Sequence, residues 1–239
     1  MQIDVWCKTD KGLRRETNQD SFFVDHDLGL FVVADGMGGH SGGEVASSMA
    51  VQTAEEVARG LKGSSVPPRE AIVKMYEEAS DRIYEKAAKE SKLSGMGTTM
   101  VLTYLSGSSL FIGNVGDSRA YLFRKPHLWQ VTEDHSLLNE QLRAGLIRED
   151  QIRQFVGKNV ITRSVGYERE VNVDILERSL RPGDCFLLCS DGLSGLVTDG
   201  KISEILNKFP LEQVVDKCVE AALANGGDDN VTVLLLAVT

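Results

Sequence analysis

Long apolar runs are missing from this chain of 239 residues. The longest, Val231–Val238, falls far short of the ~18 consecutive apolar residues of a membrane-spanning helix and reads as a strand. The N-terminus, Met1 to Lys8, lacks the basic-then-apolar layout of a secretory peptide. Cysteine is sparse. Cys7, Cys185, Cys189 and Cys218 form no C-x-x-C pair, so they read as small buried hydrophobes, not as a zinc site or redox pair. The cytoplasm is the compartment this implies. An excess of basic charge is absent too: 26 Lys and Arg stand against 35 Asp and Glu, a net −9. That balance argues against a general binder of nucleic acid or of an anionic membrane. No proline-rich linker or low-complexity tract divides the chain, so residues 1–239 are expected to form one domain with a substantial core.

The hydrophobic periodicity alternates between two kinds of element. Strand patterns occupy 2–8, 21–25 and 30–35, and a glycine-rich loop from Gly36 to Gly43 follows. Val45, Ala46, Met49, Ala50, Thr53, Ala54, Val57 and Leu61 then recur at helical spacing, which predicts a helix over 43–61. A second helix is expected from about Arg69 to Ser91. Strands return at 98–105, 109–115, 118–124 and 128–132. Residues 136–156 read as a polar, interrupted helix. Strands at 172–178 and 184–190, helices at 199–208 and 211–224, and a last strand complete the chain. Strands, two helices, strands, two helices, strand is not the strict alternation of a doubly wound parallel sheet. The expected fold is an α+β one: a central β-sandwich of two mainly antiparallel sheets with helices packed outside on both sides.

Aspartates mark the ends of these strands. Leu30–Ala34 runs into Asp35-Gly36, and Cys185–Ser190 runs into Asp191-Gly192. Asp20 opens one strand, Asp117 lies between two, and Asp229 stands just before Val231–Val238. Carboxylates at strand ends can converge on one rim, where an unpaired cluster is costly without a cation. Oxygen-only ligands suit Mg²⁺ or Mn²⁺. A contiguous Ca²⁺-binding loop does not fit such dispersed positions.

Six fragments recur in a telling order: Arg15-Glu16-Thr17-Asn18-Gln19-Asp20; Phe31 to His40 (FVVADGMGGH); Gly95-Met96-Gly97-Thr98-Thr99; Gly113 to Arg119 (GNVGDSR); Leu188 to Leu193 (LCSDGL); and Asp228-Asp229-Asn230-Val231-Thr232. Each alone is weak, since Asp-Gly turns and glycine loops are common. Together, from about Lys8 to Val238, they resemble the metal-dependent (type 2C) serine/threonine protein phosphatases, in their compact bacterial form.

The resemblance implies that Asp35 bridges two Mn²⁺ or Mg²⁺ ions, with the Gly36 carbonyl on one and Asp191 and Asp229 on the other. Asp20 matches an acidic position near the metals, and Asp117 with Asp191 a third, weaker metal position. Arg15 matches the arginine that grips substrate phosphate, a role that its planar, permanently charged fork suits. A water bridging the two ions would hydrolyse phosphoserine and phosphothreonine in proteins. A cognate serine/threonine kinase is the implied opposing partner, and a cytoplasmic monomer the implied form. Residues 133–166 match a flap beside the active site, where His135 is expected to pack locally. Met37 departs from the pattern: many eukaryotic relatives carry there a histidine proposed as general acid. His40 is the candidate replacement, with a hydrogen bond that steadies the glycine loop as its alternative role. Two rivals are a phosphatase of the same fold devoted to one regulator and a non-catalytic phosphoprotein scaffold, the latter expected to have lost metal ligands.

Overall fold

Strands that are apolar along their whole length need cover on both faces, and the architecture supplies it. The computed structural model describes residues 2–157 and 159–239, with the side chains of residues 40, 41, 149, 153 and 154 outside the description. One sheet runs in the order β1 (Ile3–Asp10), β11 (Val231–Val238), β10 (Cys185–Cys189), β7 (Arg119–Arg124), β8 (His127–Gln130). The other runs β2 (Asp20–Asp25), β3 (Leu30–Met37), β5 (Met100–Ser106), β6 (Ser109–Val115), β9 (Asp174–Ser179), and the short β4 (Gly97–Thr98) pairs with the end of β3. Every pairing is antiparallel.

Side chains alternate between two cores. Phe31, Val33, Val101 and Ile112 of one sheet meet Leu122, Phe186, Leu188, Leu234 and Leu236 of the other in the interior of the sandwich. Their strand neighbours Leu30, Val32, Met100 and Leu102 face outward against α1 (Gly39–Leu61) and α2 (Pro68–Lys89). On the far side Tyr121, Leu187, Val233 and Leu235 pack on α4 (Asp191–Ser194), α5 (Asp199–Lys208) and α6 (Leu211–Ala224). The result is the expected helix–sheet–sheet–helix layering. No helix among the described residues is long and apolar enough to cross a membrane.

Two boundaries differ from expectation for local reasons. α1 begins at Gly39, four residues early, because Gly38 at φ +126° turns the chain straight from β3 into the helix. The helix expected over 136–156 is only α3 (Leu137–Arg143), followed by a 3₁₀ turn at Glu149–Gln154. Ser136 caps α3 by accepting from the Asn139 amide, and Gly145 at φ +68° ends its continuation. Of the four cysteines expected to be buried, Cys7 is only half-buried. Cys185, Cys189 and Cys218 are buried, all four are unpaired, and burial pushes Cys7 and Cys218 up to about 12.

Phe186 is fully buried where the two sheets face each other. Phe186→Ala should cost about 3–5 kcal/mol of stability. Urea unfolding checks this, and a loss under about 1 kcal/mol would show that the inter-sheet core re-forms around the gap.

Candidate active site

The carboxylates gather because both sheets end at the same rim. Antiparallel register sets Asp20 directly opposite Asp35 across β2 and β3. In the facing sheet, β10 leads through Ser190 to Asp191 at the start of α4, and Asp229 precedes the neighbouring β11. A cavity of about 440 Å³ is lined by Arg15, Asp35, Gly36, Asp191 and Asp229, with Met37 and Ile161 also in the lining. The structure thus unites Arg15, Asp35, Gly36, Asp191 and Asp229. Asp20 is not in that lining, and its charge interacts with those of Asp191 and Asp229. Asp117, in the turn between β6 and β7, is also absent from the lining and feels the charges of Asp191 and Asp134. The His40 side chain lies outside the described residues, and its backbone falls in the first turn of α1.

Polar residues hold the Asp35 backbone from both sides. The Asp35 amide donates to Thr99 Oγ1 at 3.0 Å, and its carbonyl accepts from Thr98 Oγ1 at 2.7 Å and the Thr99 amide at 2.8 Å. The glycines behind Asp35 and Asp191 have a packing reason. A Cβ on Gly36 would collide with the carbonyl oxygen of Gly43, and one on Gly192 with that of Asn230. Asn230 ties in the loop that carries Arg15. Its side chain accepts from the Gln19 amide and donates to the carbonyls of Lys11 and Thr17. Thr98, Thr99 and Asn230 therefore shape backbone. Asn114 does likewise, donating to the Glu133 carbonyl at 3.1 Å.

Two buried hydroxyls at this rim went unrecognised in the sequence. Ser190 Oγ and Thr232 Oγ1 both donate to Asp20 Oδ2, at 2.8 and 2.7 Å, while the Thr232 amide donates to Ser190 Oγ. They fix one oxygen of Asp20 and leave Oδ1 buried without a partner. The only sequence signal was adjacency: Ser190 precedes Asp191, and Thr232 follows Asp229 by three residues.

The electrostatics favour a hard cation. Burial pushes Asp20 up to about 7 against the pull of its two hydroxyl donors, and the charges of Asp191 and Asp229 add to the rise. Burial likewise lifts Asp117 to about 7, with Asp191 and Asp134 adding to it. Asp35 is held well above the ordinary carboxylate range by burial, then by the charges of Asp20 and Asp191. Asp191 is itself raised by burial and by Asp229. Arg15 Nη2 meets Asp229 Oδ2 at 2.6 Å, and the Asn230 amide donates to Asp229 Oδ1. Among the described residues no three such groups close into a ready-made cage, because Asp229 is drawn to Arg15 and Asp20 to its hydroxyls. The donor set nevertheless fits a divalent ion: it is all oxygen, desolvated and mutually repelling, with Asp20 Oδ1 and Asp191 Oδ1 buried and unpartnered.

The protein phosphatase 2C family profile matches residues 13–234. The serine/threonine phosphatase stp of Listeria monocytogenes is 38% identical over 246 aligned positions, covering 96% of this chain and 93% of the relative. The crystal structure of the Mycobacterium tuberculosis serine/threonine phosphatase PstP/Ppp superposes with a TM-score of 0.91 at 32% identity, covering 99% of this chain and 98% of that one. A structure of the PstP catalytic domain in complex with two manganese ions gives a TM-score of 0.89 at 32% identity, with 99% of each chain covered. The chain belongs to the protein phosphatase 2C family.

The raised carboxyls give a pH prediction. A carboxyl whose folded pKa lies above its unfolded value binds a proton more tightly in the folded protein. Stability of the EDTA-treated protein should therefore fall as pH rises from about 4 through 7. A divalent cation needs these groups ionised, so the rise in Tm produced by Mn²⁺ should grow from pH 5.5 to 7.5. Ser190→Ala and Thr232→Val, which release Asp20, should shrink that rise with little change in the EDTA baseline. A Mn²⁺ shift independent of pH and of both hydroxyls would contradict the assignment.

Proposed function

We propose that this protein is a divalent-metal-dependent serine/threonine protein phosphatase, hydrolysing phosphoserine and phosphothreonine in proteins. The observation that carries the reading is the convergence of Asp35, Asp191, Asp229 and Arg15 on one cavity, with Asp20 behind it. Every expected ligand position is present, unlike in a scaffold that has abandoned chemistry.

Asp35, the Gly36 carbonyl, Asp191 and Asp229 would hold two Mn²⁺ or Mg²⁺ ions, Asp20 would support them, and Asp117 with Asp191 would form a weaker third position. Such ions supply Lewis acidity, which makes water nucleophilic at neutral pH and offsets charge on the phosphoryl oxygens. The protein does the positioning. Thr98 and Thr99 fix the Asp35 backbone, and Ser190 and Thr232 aim Asp20. Arg15 stands at the cavity beside Asp229, where its guanidinium can grip a phosphoryl group by paired hydrogen bonds. Asp229, which pairs with Arg15 through Oδ2, would serve as a metal ligand through the same carboxylate, which would leave the arginine available for substrate. Met37, which lines the cavity, has no proton to give the leaving oxygen, and His40 is the proposed donor. The same reading takes residues 1–239 as one catalytic unit, with residues 133–166 as its flap. It takes the protein as a cytoplasmic monomer opposing a serine/threonine kinase. A dimer by light scattering would remove the monomer.

Asp35→Asn and Asp191→Asn should lower Mn²⁺-dependent hydrolysis of p-nitrophenyl phosphate by more than roughly a hundredfold with the fold intact by circular dichroism. Arg15→Ala should act mainly through KM. Near-normal turnover by either asparagine variant would remove the metal assignment, and an unchanged kcat/KM for Arg15→Ala would remove the phosphate grip. His40→Ala should lose the basic limb of the pH–rate profile for substrates with poor leaving groups. An unaltered profile would reject His40 as the general acid.

A further inference from the structure

Beside the catalytic cavity, and sharing Met37 and Ile161 with it, lies a second groove of about 400 Å³. One wall is the irregular segment 161–164. The other is the segment from Tyr167 to Asn172 that leads into β9. Both walls are tied down. Val165 and Thr98 exchange backbone hydrogen bonds at 2.8 and 3.0 Å, and the Thr162 amide donates to the His135 carbonyl. On the other side, Ser80 of α2 accepts from the Gly166 amide and donates to the Glu168 carbonyl. Arg169 turns away from the groove to pair with Asp81 and Glu85 of α2, at 2.5 and 3.1 Å. The groove is therefore built into the fold and does not wait for an occupant.

Its chemistry is one-sided. Met37, Ile161, Val171 and the Tyr167 ring, itself 61% exposed, supply apolar surface. The groove's one cation, Arg163, is committed to Asp174 at 3.1 Å. With Arg169 also taken, Glu168 and Glu170 are exposed and have no ion-pair partner among the described residues. An apolar floor with an aromatic wall and two uncompensated carboxylates matches a long aliphatic stem with a cationic head.

Taking the protein as a phosphoprotein phosphatase, a reading on which this step rests, we propose that the groove seats the substrate segment flanking the phosphorylated residue and selects arginine or lysine there. The occupant is a stretch of the phosphoprotein because the two cavities share Met37 and Ile161, so a chain whose phosphoserine reaches Asp35 continues directly past Tyr167. An extended chain advances about 3.3 Å per residue, which sets the selected side chain within a few residues of the phosphoserine. The whole molecule favours the same substrates. At a net −9 it repels phosphorylated, acidic segments, and basic flanking residues offset that field on approach.

The test compares Mn²⁺-dependent kcat/KM on phosphoserine peptides carrying either arginines or glutamates, placed in one series before and in another after the phosphoserine. p-Nitrophenyl phosphate, which has no flanking residues, is the control. In one series the arginine peptide should be preferred roughly threefold to tenfold at low salt, and less so at high salt. The double variant Glu168→Gln/Glu170→Gln should lose that preference, and Glu168→Lys/Glu170→Lys should invert it, both with unchanged turnover of p-nitrophenyl phosphate. Equal rates on arginine and glutamate peptides, or a preference that survives the glutamine variant, would overturn the groove assignment while leaving the phosphatase reading intact. A wild-type protein inactive on p-nitrophenyl phosphate with Mn²⁺ would overturn the phosphatase reading, and the docking assignment with it.

Discussion

Mutual repulsion among desolvated carboxylates is the constraint on which the rest of this structure turns. Two like charges about 4 Å apart cost roughly 4 kcal/mol at an effective dielectric near 20, a large share of the ~5–15 kcal/mol that holds a typical domain together. Asp20, Asp35, Asp117 and Asp191 are all pushed upward by burial, and each feels the charge of at least one other carboxylate. Such a rim survives only on a scaffold with stability to spare. The sandwich supplies it through three apolar layers: one between the sheets and one under the helices on each side. The central strands β10 and β11 are buried along their whole length, and Asp191 and Asp229 stand just beyond their ends.

Local polar residues then decide how the repulsion is distributed. Ser190 and Thr232 donate to one oxygen of Asp20 and partly oppose its upward shift, yet burial still prevails. Among the described residues Arg15 is the only cation paired with a carboxylate of the cavity, and it is half exposed. A surface-exposed arginine is worth little as a stabilising partner. Its proposed value lies in what it could bind: a half-exposed guanidinium at the cavity has donors left over for an anion.

Much of this was legible in the sequence, for identifiable reasons. The expected ranges 109–115, 199–208, 211–224 and Val231–Val238 coincide with observed elements because each is bounded by a sharp change of pattern. The aspartates at strand ends could be picked out because a run such as Leu30–Ala34 stops abruptly at a charge. The strand-to-helix entry at Gly38 was not legible, since a glycine run gives no hint of which residue takes the positive φ. The interrupted helix after Ser136 was over-extended because Leu142, Leu146 and Ile152 keep a helical spacing that Gly145 breaks. The clamp on Asp20 was invisible for a different reason. Ser190 and Thr232 come from separate strands and meet Asp20 only once the two sheets face each other. Register within a sheet can be guessed from alternation, whereas contact between sheets cannot.

The same distinction explains why the groove beside the catalytic cavity escapes motif reasoning. Its residues come from the end of β3, the irregular segment 161–164 and the segment before β9, and neither Glu168 nor Glu170 belongs to a recognisable pattern. What defines it is a pairing pattern: Arg163 is spent on Asp174 and Arg169 on α2, so the two glutamates on either side of Arg169 are left over. A count of charges along residues 163–170 gives two arginines and two glutamates, an apparently neutral stretch. Only the three-dimensional partners turn that neutral sequence into an acidic surface. The catalytic rim is written as conspicuous aspartates at strand ends. The surface that would choose among substrates is written in which cations have already been claimed.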